Sequence, residues 1–191
     1  MKRTAVFPSA LAAIVALASI IGLFVPYIGT TSEYAAYLES IADQKPFDTA
    51  DIRVSDMVDM SLYDYAKTYW QAGEEILGDR DEGVFYAVLF ASPGIFGVFA
   101  LLCALNRKGI PLILQSLIIG GLFYAINWDT VDRGIMPHDG RVWGMAYHLY
   151  YPIAGILLIC GIWIFIAKHN AKHKMKKLTR AKWDDKLNHA A

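Results

Sequence analysis

Ser55 to Leu77 reads SDMVDMSLYDYAKTYWQAGEEIL, the one long helix-like stretch that cannot cross a membrane. Val58, Leu62, Tyr65, Tyr69, Ala72 and Ile76 recur at steps of four and three, which draws an apolar stripe down one face of a helix. Asp56, Asp59, Asp64, Lys67 and Glu75 fill the remaining surface. Ser55 suits an N-cap, with Asp56 and Asp59 in the first turns, where the helix dipole favours acids. Gly78 follows the last apolar residue and suits a left-handed cap. Met60, Tyr63 and Trp70 lie off the main stripe and are the candidate binding residues, a contact face if exposed.

Runs too apolar for water flank this helix. The chain has 191 residues and is 55% hydrophobic, which is rare for a soluble domain. Its net charge of zero sums two opposite blocks. Residues 29–83 hold thirteen acidic and four basic residues, a net of −9; residues 168–191 hold eight basic and two acidic, a net of +6. Such asymmetry points to two compartments rather than to nucleic acid. The two cysteines, Cys103 and Cys160, both fall in apolar runs, so no disulfide staples the acidic loop. With no N-x-S/T sequon either, the chain reads as a bacterial plasma-membrane protein.

Four apolar runs are expected to cross the membrane, each near the roughly 20 residues a bilayer needs. Residues 1–28 hold the first, from Thr4 to Ile28, read as an uncleaved span ending at Val25-Pro26-Tyr27. Residues 84–167 hold the other three: Val84 to Leu105, Pro111 to Asn127 and Val142 to Ala167. A short turn at 106–109 and an outer loop at 128–141 connect them. Ser92-Pro93-Gly94 is expected to kink the second span. Gly94, Gly97, Gly120, Gly121 and Gly155 offer small-residue packing surfaces, and Gln115 and Ser116 are expected to hydrogen-bond another helix. The fold expected is an all-α four-helix membrane bundle. Between its first two spans, residues 29–83 form an acidic extracytoplasmic module of two packed helices, Thr31 to Asp43 and Ser55 to Leu77.

Lysine and arginine fix the orientation. Lys2-Arg3, Arg107-Lys108 and the 168–191 tail are the basic segments, and the positive-inside rule puts them, with both termini, in the cytoplasm. Tyr27, Phe85, Tyr86, Tyr124, Trp128, Trp143, Tyr147, Tyr150 and Tyr151 fall near outer ends and read as an aromatic belt. The tail suits anionic lipid headgroups.

The chemistry-bearing residues are few. Asp129, Asp132, His138, Asp139 and His148 lie in or beside the second outer loop and are weak metal candidates, because carboxylates with imidazole can bind zinc. The spacing matches no metal motif, and the plainer reading is a solvated loop whose acids pair with Arg133 and Arg141. His148 is expected to hydrogen-bond Asn127 or a tyrosine. Asp79, Asp81 and Glu82 fail the calcium-loop pattern, which would need glycine sixth and glutamate twelfth; Gly83 is fifth and Phe90 twelfth. No nucleotide loop or nucleophile elbow occurs, so no catalytic residue and no cofactor is expected. Four spans with inside termini and a large first outer loop resemble claudin-type proteins in outline, but their tryptophan motif with paired cysteines is absent, and no family is assigned. The expected function is non-enzymatic: a membrane scaffold or accessory subunit whose acidic module contacts an envelope partner, or which self-associates. A small transporter or permease component is the second reading, and a membrane metalloenzyme with its site at the outer mouth is the third.

Overall fold

A computed structural model describes residues 5–136 and 138–188, without the side chains of 178 and 181–188. Six helices run in chain order: α1 (Val6–Gly22), α2 (Ser32–Ser40), α3 (Leu62–Leu77), α4 (Arg80–Leu105), α5 (Gly109–Asp132) and α6 (Met145–Asn188). Three of them are long and apolar enough to cross a membrane: α4, α5 and residues Met145–Lys177 of α6. α1 is apolar but shorter, 17 residues or about 26 Å at 1.5 Å per residue. It ends six residues before the expected boundary. Pro26 explains this, since the residue before proline is steered out of helical backbone.

Residues 26–28, expected inside the first span, instead begin a strand. β1 (Pro26–Thr30) pairs antiparallel with β2 (Met60–Ser61) on one side and β3 (Arg141–Trp143) on the other. The all-α expectation therefore missed a three-stranded sheet in the order β2-β1-β3. Ile28 faces Trp143, and Thr30 faces Arg141. Gly144 makes this approach possible: a Cβ there would come within 2.6 Å of the Pro26 backbone, and its N–H donates to the Tyr27 carbonyl at 2.8 Å. The sheet ties both large loops to one end of the bundle, here the sheet end.

α3 starts at Leu62, not at Ser55. Ser61 is the true N-cap: its hydroxyl accepts from the Asp64 N–H, and the Asp64 carboxylate accepts from the Ser61 N–H, closing a capping box. Residues 55–57, expected to begin the helix, instead belong to a single 3-10 turn (Val54–Met57), and pairing with β1 holds residues 60–61 extended. Gly78 ends α3 at φ 76°, as its position suggested.

The two-helix packing expected for the module does not occur as drawn. α2 packs on the 3-10 turn, while α3 lies against α4. Gly73 and Gly83 set that distance, since a Cβ on Gly73 would sit 2.4 Å from the Gly83 Cα. Leu62 is fully buried and Tyr69 nearly so. Tyr65 and Tyr69 stack on Phe90 of α4 at 5.1 and 5.6 Å between ring centres.

In the bundle α1 packs on α4 and α6, and α5 on α4 and α6. Gly97 admits Ser19 of α1 and Gly94 admits Leu23 just beyond its end, as expected of small residues. Gly155 does not behave so: it is exposed, with nothing within 4 Å of where a Cβ would be. Gly109 and Gly161 make the close α5–α6 contact instead. Pro93 sits inside the continuous helix α4. It has no N–H for the Leu89 carbonyl four residues back, and the Ser92 hydroxyl donates to that carbonyl at 2.6 Å. Ser116 likewise bonds within its own helix, to the Ile113 carbonyl, and Gln115 Oε1 is buried without a partner. Neither makes the expected interhelical bond.

Candidate functional site

The sheet end carries two surface concavities and a buried polar and aromatic core. At its centre is Tyr27 of β1, fully buried. Phe90, Phe123, Tyr65 and Trp143 surround its ring at 5.7–6.4 Å. Its hydroxyl donates to Asn127 Oδ1 at 2.7 Å and lies 3.2 Å from the Thr130 hydroxyl. Asn127 Nδ2 in turn donates to the Tyr151 hydroxyl. Tyr150, also fully buried, donates to the Ser19 carbonyl at 2.8 Å, one of the last carbonyls of α1 that no helical N–H can reach.

The expected aromatic belt thus divides. Tyr27 and Tyr150 are core, and Tyr86, Trp143 and Tyr147 are half-buried; Phe85, Tyr124, Trp128 and Tyr151 remain exposed. His148 is exposed and meets the edge of Tyr147, not Asn127, whose amide is already engaged by Tyr27 and Tyr151.

Beside this core lies an ion-pair cluster. Asp129 Oδ1 accepts from Arg133 Nε at 3.0 Å and from the Tyr86 hydroxyl at 3.1 Å. Arg133 also reaches Glu82 at 3.5 Å and stacks over the Tyr86 ring at 3.8 Å. Asp129 Oδ2 is buried without a hydrogen-bond partner. Burial pushes the Tyr69 phenol above its ordinary range, against a pull down from Arg133. Tyr65 is pushed up by burial in the same way.

The five metal candidates do not gather. Asp129 is taken by Arg133, while Asp132, His138, Asp139 and His148 are exposed. Among the described residues no three His, Cys, Asp or Glu side chains could hold a metal ion together. Arg133 pairs acids as expected. Arg141 does not: it donates to the Met57 carbonyl and stands 5.2 Å over Tyr34, binding the second loop to the first.

Met60 is buried in β2 and leaves the proposed contact face. Tyr63 and Trp70 are exposed, Trp70 by 67%. They do not look outward from an isolated module; they rim a shallow apolar groove whose far wall is Val88 and Ile95 of α4.

A second concavity opens between the start of α2 and the end of the second loop. Glu33, Tyr34, Tyr37, Asp139 and Gly140 line it with Thr31 and Ser32. Tyr34 and Tyr37 stack at 5.9 Å, and Thr31 N–H bonds the Gly140 carbonyl, which brings Asp139 alongside. Both tyrosines lie on α2, in the segment expected to pack on the Ser55 to Leu77 helix, and neither is among the candidate binding residues. The tyrosine pair at i,i+3 was the visible signal; its union with Asp139 depends on strand pairing that no local pattern shows. No family model matches the chain, and neither does any curated protein or solved structure.

Proposed function

We propose that the chain is a non-enzymatic plasma-membrane protein with four transmembrane helices and cytoplasmic termini, a scaffold or accessory subunit whose acidic outer module contacts an envelope partner. α1 is the fourth crossing in this reading. Its outward residues Phe7, Ile14, Leu17 and Ile21 are apolar and exposed, and its inner face packs on α4 and α6. The basic tail of α6 meets anionic headgroups on the inner side.

The concavity beside α2 is the observation that carries the partner reading. It joins two stacked tyrosines, one of them exposed, to the carboxylates of Glu33 and Asp139 in a segment already rich in acid. Aromatic rings that keep their area accessible at little conformational cost are frequent interface anchors. The flanking carboxylates favour a cationic partner segment, and electrostatic complementarity would give the contact specificity.

The test is purification of the full chain after mild detergent extraction, with and without charge reversal at the concavity. A protein that co-purifies with the wild type should be lost from the Glu33→Lys/Asp139→Lys variant and from Tyr37→Ala, and kept by Ser40→Ala. Equal recovery with all of these variants, or no stoichiometric companion at all, would remove the proposal.

A further inference from the structure

The groove between α3 and α4 has a shape and a setting that its neighbours explain. Ala66, Ala87 and Ala91 make its floor, and Tyr63 and Trp70 rise on one side against Val88 and Ile95 on the other. Small residues under large ones leave a narrow apolar trough. Lys67 is the one charged residue in its lining, and among the described residues it makes no ion pair.

We infer that this trough holds an acyl chain of an outer-leaflet phospholipid, with Lys67 at the headgroup phosphate. The inference rests on the membrane reading of α1, α4, α5 and α6. Continuity carries it. Val88 and Ile95 are 55% and 47% exposed and begin a stripe that Phe99 and Leu102 continue down α4, both also exposed. Spacings of seven, four and three keep these residues on one helix face. Ser92, the polar residue at that spacing, is buried with its hydroxyl turned back to the Leu89 carbonyl, so no exposed polar side chain on the stripe separates the trough from the surface that would face lipid. A soluble partner would need such a boundary; a lipid chain does not.

Depth agrees. Tyr63 packs on Phe24 at 5.1 Å, and its N–H donates to the Leu23 carbonyl, so the trough begins level with the end of α1. Trp70 lies seven residues further, about 10 Å higher on the helix. Phe85, Tyr124 and Trp128 are exposed at the same end of the bundle, where aromatic rings gather at a headgroup boundary. Lys67 sits one turn below Trp70, and its flexible stem can lift the ammonium to headgroup level while its methylenes cover apolar surface.

The full chain in nanodiscs tests this. The share of fluorescence belonging to Trp70 is the difference between wild type and Trp70→Phe. That share should be quenched by lipid brominated near the glycerol end of its chains and protected from acrylamide. Trp163, exposed within the apolar part of α6, gives an internal reference through Trp163→Phe. Quenching of Trp163 without quenching of Trp70 overturns this inference and leaves the membrane reading standing; quenching of neither overturns both. Phospholipid retained through detergent exchange should also fall in Lys67→Glu and in the trough-filling Ala91→Phe. Retention equal to wild type in both would overturn the site, and a trough closed to acrylamide but untouched by brominated lipid would mean that protein covers it.

Discussion

Tyr27 shows how much one side chain can bind together. It comes directly after the proline that ends α1, yet its hydroxyl meets Asn127 and Thr130 of α5 about a hundred positions on. A buried acceptor that loses its donor costs roughly 1–3 kcal/mol. Tyr27→Phe should therefore lower detergent stability by that order, whereas Tyr124→Phe, whose ring is exposed, should leave the melting temperature unchanged. Glu75 makes a second test at this scale. Its carboxylate accepts from the Thr49 hydroxyl at 2.7 Å and from the Asp48 and Thr49 N–H groups. The hydroxyl, then the two amides, hold its pKa below the ordinary carboxylate value. A folded pKa below the unfolded one stabilises above the unfolded value, and that contribution disappears as pH falls through the folded one. Carbon-detected NMR should show Glu75 titrating below the ordinary glutamate value, and Thr49→Ala should move it back up. An unmoved titration would mean that the hydroxyl bond does not hold in solution. None of these partners could be read from the sequence, because each depends on how segments far apart in the chain come together.

At the level of the element, α3 is the instructive case. Its stripe was legible: Leu62, Tyr69 and Ala72 are buried at the spacing the sequence displays. Its start was not, because Ser55 and Ser61 both have an acid downstream and local chemistry does not choose between them. The strand β1 chooses, by holding Met60 and Ser61 extended. Asp64 changes meaning accordingly. It is not a bystander on a wet face but the second half of the capping box. Asp64→Ala should cost about 0.5–2 kcal/mol, as lost caps do, and Leu62→Ala about 2–5 kcal/mol, as buried truncations do. Thermal denaturation in detergent ranks them; an Asp64→Ala variant with wild-type stability would argue against the box. The α3–α4 crossing gives a contrast between glycines. Gly73→Ala forces a Cβ against the Gly83 backbone and should cost about 1–3 kcal/mol, the range for overpacked sites. Gly155→Leu meets open space and should be tolerated. Glycines in an apolar run all look alike in sequence; only the facing helix distinguishes them.

For the molecule as a whole, the apolar runs were legible because length and hydropathy are summed over many residues. The sheet was not, because strands of two to five residues carry no period and the β1–β3 partners lie more than a hundred positions apart. That sheet nevertheless gives the strongest reason for a single topology. It gathers residues 26–30, 60–61 and 141–143 at one end. At the other end, Phe7 near the start of α1 packs on Trp163, and Gly109 beside the Arg107-Lys108 turn packs on Gly161 and Phe165. The Arg107-Lys108 turn and the start of α1 are thus brought to the same end as the start of the α6 tail, and the placement of Lys2 and Arg3 lies outside the described residues. The acidic block of net −9 occupies the opposite end. Under the proposed topology, translocating one end and retaining the other is a single choice, and the positive-inside rule would retain the basic end. In a Cys103→Ser/Cys160→Ser background, a membrane-impermeant maleimide should label Ser40→Cys in intact cells. It should reach Lys182→Cys only after permeabilisation. Labelling of Lys182→Cys but not Ser40→Cys would invert the protein in its membrane. It would put the Tyr37 concavity in the cytoplasm and move the lipid trough to the inner leaflet. Labelling of both in intact cells would break the four-crossing topology itself, and α1, the shortest of the apolar helices, would be the crossing to doubt first.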